Sequence, residues 1–237
     1  MEKSRTTQRA ARHRAGIPAV AIAGYTNAGK SSILNRMTGA GVLVENALFA
    51  TLDPTVRRTK TPGGRDYTVA DTVGFVRHLP HQLVEAFRST LDEVRDADLI
   101  VHVVDGSDDA PEEQISAVRE VLNDIDAGQV PDLIVINKAD IADPETIANL
   151  LRREPGAVVV SARTGAGFDE LLAAIERDLP SLLQEVDVLV PYSRGDLVSR
   201  AHRQGDVTGA EHAEPGTRLH ARAPESLANE LRAASGE

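Results

Sequence analysis

The 237-residue chain contains no cysteine, which excludes disulfides and thiolate metal centres and fits a protein of the reducing cytoplasm. No apolar run approaches the ~20 residues that a helix needs to cross a bilayer, and the N-terminal residues hold no apolar stretch of the signal-peptide kind. Internal repeats and low-complexity tracts are missing as well. Positive charge is in deficit. The 26 lysines and arginines stand against 36 aspartates and glutamates, a net charge of −10 that disfavours indiscriminate binding to nucleic acid. One segment runs against this balance: residues 1 to 17 hold Lys3, Arg5, Arg9, Arg12 and Arg14 against Glu2. Such an arm either touches RNA or is simply a solvated helix or linker end. What remains is 41% hydrophobic and 26% charged, enough for a real core in one ordinary domain plus a smaller one.

From residue 17 onward, short apolar runs alternate with helical patterns. "IPAVAIAG", "LIVHVVD", "DLIVINK" and "AVVVSA" contain few polar residues, as strands buried on both faces require. "KSSILNRMTG", "APEEQISAVREVLNDI", "DPETIANLLRRE" and "GFDELLAAIERDL" carry 3.6-residue periodicity, the last three with acidic first turns. "TVRRTKTPGGRDYTVAD" reads as two strands around Pro62-Gly63-Gly64. The expected fold is therefore α/β: a three-layer domain over residues 17–180 with a mainly parallel sheet, one antiparallel edge strand, and ligands at the carboxyl ends of the strands. Pro180 ends the alternation. Residues 181–237 predict a small α+β domain, and residues 1–16 a basic linker remnant.

Four motifs carry chemistry. "GYTNAGKS" places Gly24, Tyr25, Thr26, Asn27, Ala28, Gly29, Lys30 and Ser31 between a strand and a helix, with Ser32 following. That is the context a phosphate-cradling P-loop requires. Gly24 and Gly29 let backbone N–H groups turn toward phosphate oxygens, Lys30 reaches the β- and γ-phosphates, and Ser31 offers a hydroxyl to Mg²⁺. "NKAD", Asn137, Lys138, Ala139 and Asp140, follows a buried strand about a hundred residues later. The Asp140 carboxylate can accept from N1–H and the 2-amino group of guanine, whereas adenine offers no such pair of donors. Asn137 contacts the base edge or ties the loops together, and the Lys138 stem covers the ring. "SAR", Ser161, Ala162 and Arg163, can supply a backbone N–H to guanine O6. "DTVG", Asp71, Thr72, Val73 and Gly74, provides a water-mediated Mg²⁺ ligand in Asp71 and a γ-phosphate donor in the Gly74 N–H. In "LFATLDPT", a loop with Phe49, Ala50, Thr51, Leu52 and Asp53, either Thr51 or Thr55 completes the Mg²⁺ shell.

Together, "GYTNAGKS", "LFATLDPT", "DTVGF" and "NKAD" resemble the HflX family of translation-factor-class GTPases, over roughly residues 5 to 190. The resemblance implies a cytoplasmic GTPase, monomeric by expectation, that binds GTP or GDP, associates with the large ribosomal subunit and can separate the subunits. It also selects Thr51 over Thr55 as the switch ligand, so the metal ligands are expected at Ser31, Thr51 and Asp71. The chain departs from the family in two respects. "KSS" stands where K-S-T is usual, a hydroxyl exchange. The family's N-terminal domain has only the basic end of its linker here, so a fragment is expected. At the position after Gly74, where many such switches carry a water-orienting glutamine, the chain has Phe75. Slow hydrolysis is therefore expected, with Lys30, Asn27, Thr51 and Gly74 as the catalytic group. Asn27 resembles the P-loop asparagine of GTPases that hold K⁺ between the phosphates; the alternative is that it only stabilises the loop. A binding module gated by nucleotide, with negligible hydrolysis of its own, is the competing function. An ATP-dependent enzyme is disfavoured by "NKAD".

Overall fold

The computed structural model of the chain describes residues 16–39, 56–72, 74 and 88–235, with 88–90 as backbone only. The linker remnant, the loop carrying Phe49 to Asp53 with Thr51, and residues Val73 and Phe75 lie outside the described residues. Two compact units form, one spanning Ala19–Leu179 and the other Pro180 onward together with residues 16–18.

The larger unit is built on a six-stranded sheet. Its strands are β1 (Ala19–Gly24), β2 (Val56–Lys60), β3 (Asp66–Asp71), β4 (Leu99–Asp105), β5 (Asp132–Asn137) and β6 (Val158–Val159), in the order β2-β3-β1-β4-β5-β6. β2 pairs antiparallel with β3 at the edge, as the hairpin signal predicts, and every other neighbour is parallel. The helices are α1 (Lys30–Thr38), α2 (Arg88–Arg95), α3 (Pro111–Asp124), α4 (Pro144–Arg153) and α5 (Phe168–Asp178).

Burial on both faces explains the strands' unbroken apolar runs. Val20, Ile22, Val101 and Val135 pack with Ile33 and Leu34 of α1 and Leu171 and Ile175 of α5. Ala21, Ala23 and Ile100 face the other way, against Leu91 and Val94 of α2 and Val118 and Val121 of α3. Alternate residues along β1 thus serve opposite layers, the period of two that a strand imposes. Helix ends follow local chemistry. α1 stops at Gly39, whose φ of 66° is the left-handed cap glycine permits. α4 starts behind Asp143, whose carboxylate accepts from Thr146 N at 3.0 Å, with Pro144 at the first helical position.

The smaller unit holds β7 (Leu183–Pro191), a short 3₁₀ turn (Tyr192–Arg194), α6 (Gly195–Gln204), β8 (Asp206–Ala213), β9 (Gly216–Pro224) and α7 (Glu225–Ser235). Its sheet is antiparallel in the order β7-β9-β8. One face buries Val186, Val188, Val190, Leu219 and Ala221 against Leu197 of α6 and Leu227 and Leu231 of α7. The opposite face carries ion pairs such as Arg218–Asp187 at 3.2 Å and Arg222–Asp206 at 2.6 Å.

Candidate functional site

The site assembles at the carboxyl ends of β1, β3, β4 and β5. After β1, Gly24 has φ 154° and packs so closely on Val103 O that no side chain fits. Asn27 (φ 61°) and Gly29 (φ 96°) then adopt left-handed conformations, an alternation that turns successive N–H groups inward. Asparagine tolerates this conformation better than most residues, so backbone geometry is one reason for its presence at position 27. α1 begins at once, with Ser31 and Ser32 in its first turn. Lys30 is buried, and its Nζ donates to Gly24 O at 3.1 Å and Tyr25 O at 2.9 Å. Burial lowers its pKa to about 8, against the opposing pull of Asp71.

Ser31 Oγ donates to Asp71 Oδ2 at 2.7 Å, which brings the two described magnesium candidates to one point. Both are hard oxygen donors, the ligand class Mg²⁺ prefers. Thr72 is fixed by its hydroxyl to Ile22 O at 2.6 Å. Gly74 lies against the P-loop: a Cβ there would stand 2.7 Å from Thr26 Cγ2 and 3.3 Å from Lys30 Nζ.

At the other end of the site, Asn137 is buried and its amide ties loops together. Nδ2 donates to Ala28 O at 2.8 Å, and Oδ1 accepts from Ala162 N at 3.0 Å. Of the two roles open to Asn137, this geometry satisfies the second. Lys138 has φ 62°, and its ammonium pairs with Asp105 at the end of β4 at 2.5 Å. The motif reading passes over Asp105; its place at the end of a buried strand is the available signal. Asp140 Oδ1 accepts from Ser161 Oγ at 2.5 Å, and Oδ2 pairs with Arg163 at 2.6 Å. The Ser161 bond, with smaller help from a backbone hydrogen bond and the Arg163 charge, holds the Asp140 carboxyl below its ordinary range. Each oxygen keeps a second lone pair for a base donor. Ala162 N donates to Asn137 Oδ1, and Ser161 N to Ala166 O.

The site's two ends therefore come together in the fold. One end joins Gly24–Ser31, Asp71 and Gly74, and the other joins Asn137–Asp140 and Ser161–Arg163. The switch-loop residues Phe49, Ala50, Thr51, Leu52 and Asp53, and Val73, lie outside the described residues.

Comparison with known proteins agrees in the motifs and in the fold. Residues 19–138 match the model of the 50S ribosome-binding GTPase family, and residues 147–237 match that of the HflX C-terminal domain. The chain is 42% identical over 234 residues to a GTPase HflX of Akkermansia muciniphila, covering 97% of this chain and 54% of that protein. To the GTPase HflX of Escherichia coli it is 43% identical over 205 residues, 86% of this chain and 48% of that protein. The chain thus spans about half the length of these relatives. Among solved structures, a GTP-binding protein of Sulfolobus solfataricus in complex with GDP superposes with a TM-score of 0.55 at 26% identity, covering 75% of this chain and 56% of the other. An Era protein of Aquifex aeolicus bound to GDP and aluminium fluoride gives 0.57 at 19% identity, over 85% of this chain and 75% of the other, a likeness of fold.

Proposed function

The chain belongs to the HflX family of GTPases, and on that premise we propose that it binds guanine nucleotides with Mg²⁺, hydrolyses GTP slowly, and uses the cycle to control association with the large ribosomal subunit as a step in separating the subunits. Residues 17–180 carry the nucleotide chemistry and residues 181–237 form a second domain of the cytoplasmic protein. The observation that carries this reading is the Asn137 bridge, which links the loop of Lys30 to the turn that orients Asp140.

Each residue has a defined task. Lys30 exchanges its carbonyl partners for β- and γ-phosphate oxygens. The Gly74 N–H donates to the γ-phosphate, and the Asp140 carboxylate accepts from guanine. Ser31, Asp71 and Thr51 would hold Mg²⁺, which would supply charge neutralisation at the phosphates. Phe75 has no group to orient water, so backbone near Gly74 and Thr51 must do so, and the ribosome supplies what is missing.

The test is nucleotide preference in the presence of Mg²⁺. GDP should bind far more tightly than ADP, and Asp140→Ala should weaken GDP binding by roughly 100-fold through loss of a charged acceptor. Equal affinities for GDP and ADP in the unmodified chain would sink the proposal. Phe75 also supports a second reading, a nucleotide-gated binding module with negligible turnover. Single-turnover hydrolysis with and without ribosomes separates the two.

A further inference from the structure

The geometry points to Arg36 as a positioning residue for guanine recognition, a strut that sets the base-reading turn against the phosphate-binding helix. It rests on the guanine reading above. Arg36 sits in the last turn of α1, the helix that opens with Lys30 and Ser31. Its Nε donates to Ala162 O at 2.9 Å and its NH2 to Arg163 O at 3.0 Å. One planar fork thus holds two successive carbonyls more than a hundred residues away. The guanidinium also lies over the Phe168 ring, with Cζ 5.5 Å from the centroid, an attractive cation–π placement. Gly165 completes the seat: a Cβ there would meet Arg36 NH1 at 2.5 Å, so glycine lets the guanidinium lie against the turn.

A bland account exists for a basic residue in this position, since a cation in a helix's last turn complements its dipole. That account requires no long-range partner, and Arg36 has three. The carbonyls it grips belong to residues that hold Asn137 and Asp140 through other atoms. Ala162 N is bonded to Asn137, and the Arg163 guanidinium pairs with Asp140. Holding the turn by its carbonyls therefore fixes where the Asp140 carboxylate is presented. Lysine is no equivalent, because a point-like ammonium cannot span two carbonyls as a fork does.

The experiment measures GDP and IDP affinities, with thermal stability, for the full chain and for Arg36→Ala and Arg36→Lys. IDP lacks the 2-amino group, so the GDP:IDP ratio reports how well Asp140 is presented. Arg36→Ala should lose ~5-fold or more in GDP affinity, and its GDP:IDP ratio should fall toward one; Arg36→Lys should lie between. An unchanged ratio would overturn the inference, whether affinity holds or falls in step with stability, because Arg36 would then only support the fold. If Arg36→Ala does not fold, the ratio in Arg36→Lys decides. Failure of the guanine reading itself shows separately, as equal binding of GDP and ADP by the unmodified chain.

Discussion

Gly74→Ala tests the γ-phosphate sensor through a contact that the fold makes unavoidable. The added Cβ would lie 2.7 Å from Thr26 Cγ2, 3.0 Å from Thr26 Cα and 3.3 Å from Lys30 Nζ. Carbon contacts are optimal at about 3.5–4.0 Å, so the first overlap approaches 1 Å. Thr26 cannot easily retreat. The loop around it is closed by Ala28 N on Tyr25 O at 3.3 Å and anchored by Asn137 Nδ2 on Ala28 O at 2.8 Å. Position 74 must therefore withdraw, and a withdrawal of ~1 Å takes its N–H beyond hydrogen-bonding reach of a γ-phosphate oxygen. A hydrogen bond to a charged acceptor is worth about 1.5–3 kcal/mol, or roughly 10- to 100-fold in affinity. GDP has no γ-phosphate and should lose little. Titration calorimetry with GDP and a non-hydrolysable GTP analogue, on the unmodified chain and the variant, reads this difference. Parallel weakening of both nucleotides, or no weakening of either, would refute the placement of Gly74 at the γ-phosphate.

The lowered pKa of Lys30, about 8 against an ordinary 10.5, makes binding pH-dependent. Phosphate oxygens favour the charged ammonium, so GDP binding near pH 9 should take up close to one proton and near pH 6.5 almost none from this group, as calorimetry in buffers of different ionisation enthalpy would show. His102, wholly buried in β4, has no hydrogen-bond partner at either ring nitrogen among the described residues, and its Nδ1 lies 3.7 Å from Asp132 Oδ2. Burial lowers its pKa more than Asp132 and Glu154 raise it, with Arg119 also lowering it, so the unfolded chain binds the proton more readily than the folded one. Stability should thus fall as pH drops below about 6.5, by up to about 1.4 kcal/mol per pH unit; His102→Leu should flatten that slope in denaturant titrations at pH 5 to 7. An unaltered slope would place the acid sensitivity elsewhere. For Asn27, the expected result is slow basal hydrolysis that is faster in K⁺ than in Na⁺, with Asn27→Ala abolishing the difference; equal rates in the two salts would leave Asn27 a loop-forming residue.

How much of this was legible in the sequence depended on how local each cause is. The P-loop could be read because glycines and Lys30 act within eight consecutive residues, and the parallel sheet because two-sided burial makes strands uniformly apolar. α2 escaped notice: among its described side chains, Leu91 and Val94 alone join the core, too few to mark a helical face. "AVVV" promises a longer strand than the two residues of β6, which pair with β5 alone at the sheet's edge. The left-handed conformations of Asn27 and Lys138 have no compositional signal beyond the tolerance of asparagine. Nothing local in the sequence singles out Arg36, because its partners are brought to it by the tertiary fold across 126 residues.

The β2–β3 hairpin is moored at its turn. Thr61 Oγ1 donates to Glu176 Oε1 at 2.6 Å, and Gly63 N donates to the same carboxylate at 3.0 Å, fastening the far end of the hairpin to α5. Its open ends, Val56 and Asp71, lead directly into the chain segments that carry the two switch motifs. A strip fastened at one end cannot slide lengthwise; it can only bend or peel. Displacement at its open ends is thereby kept from passing into α5 as a register shift.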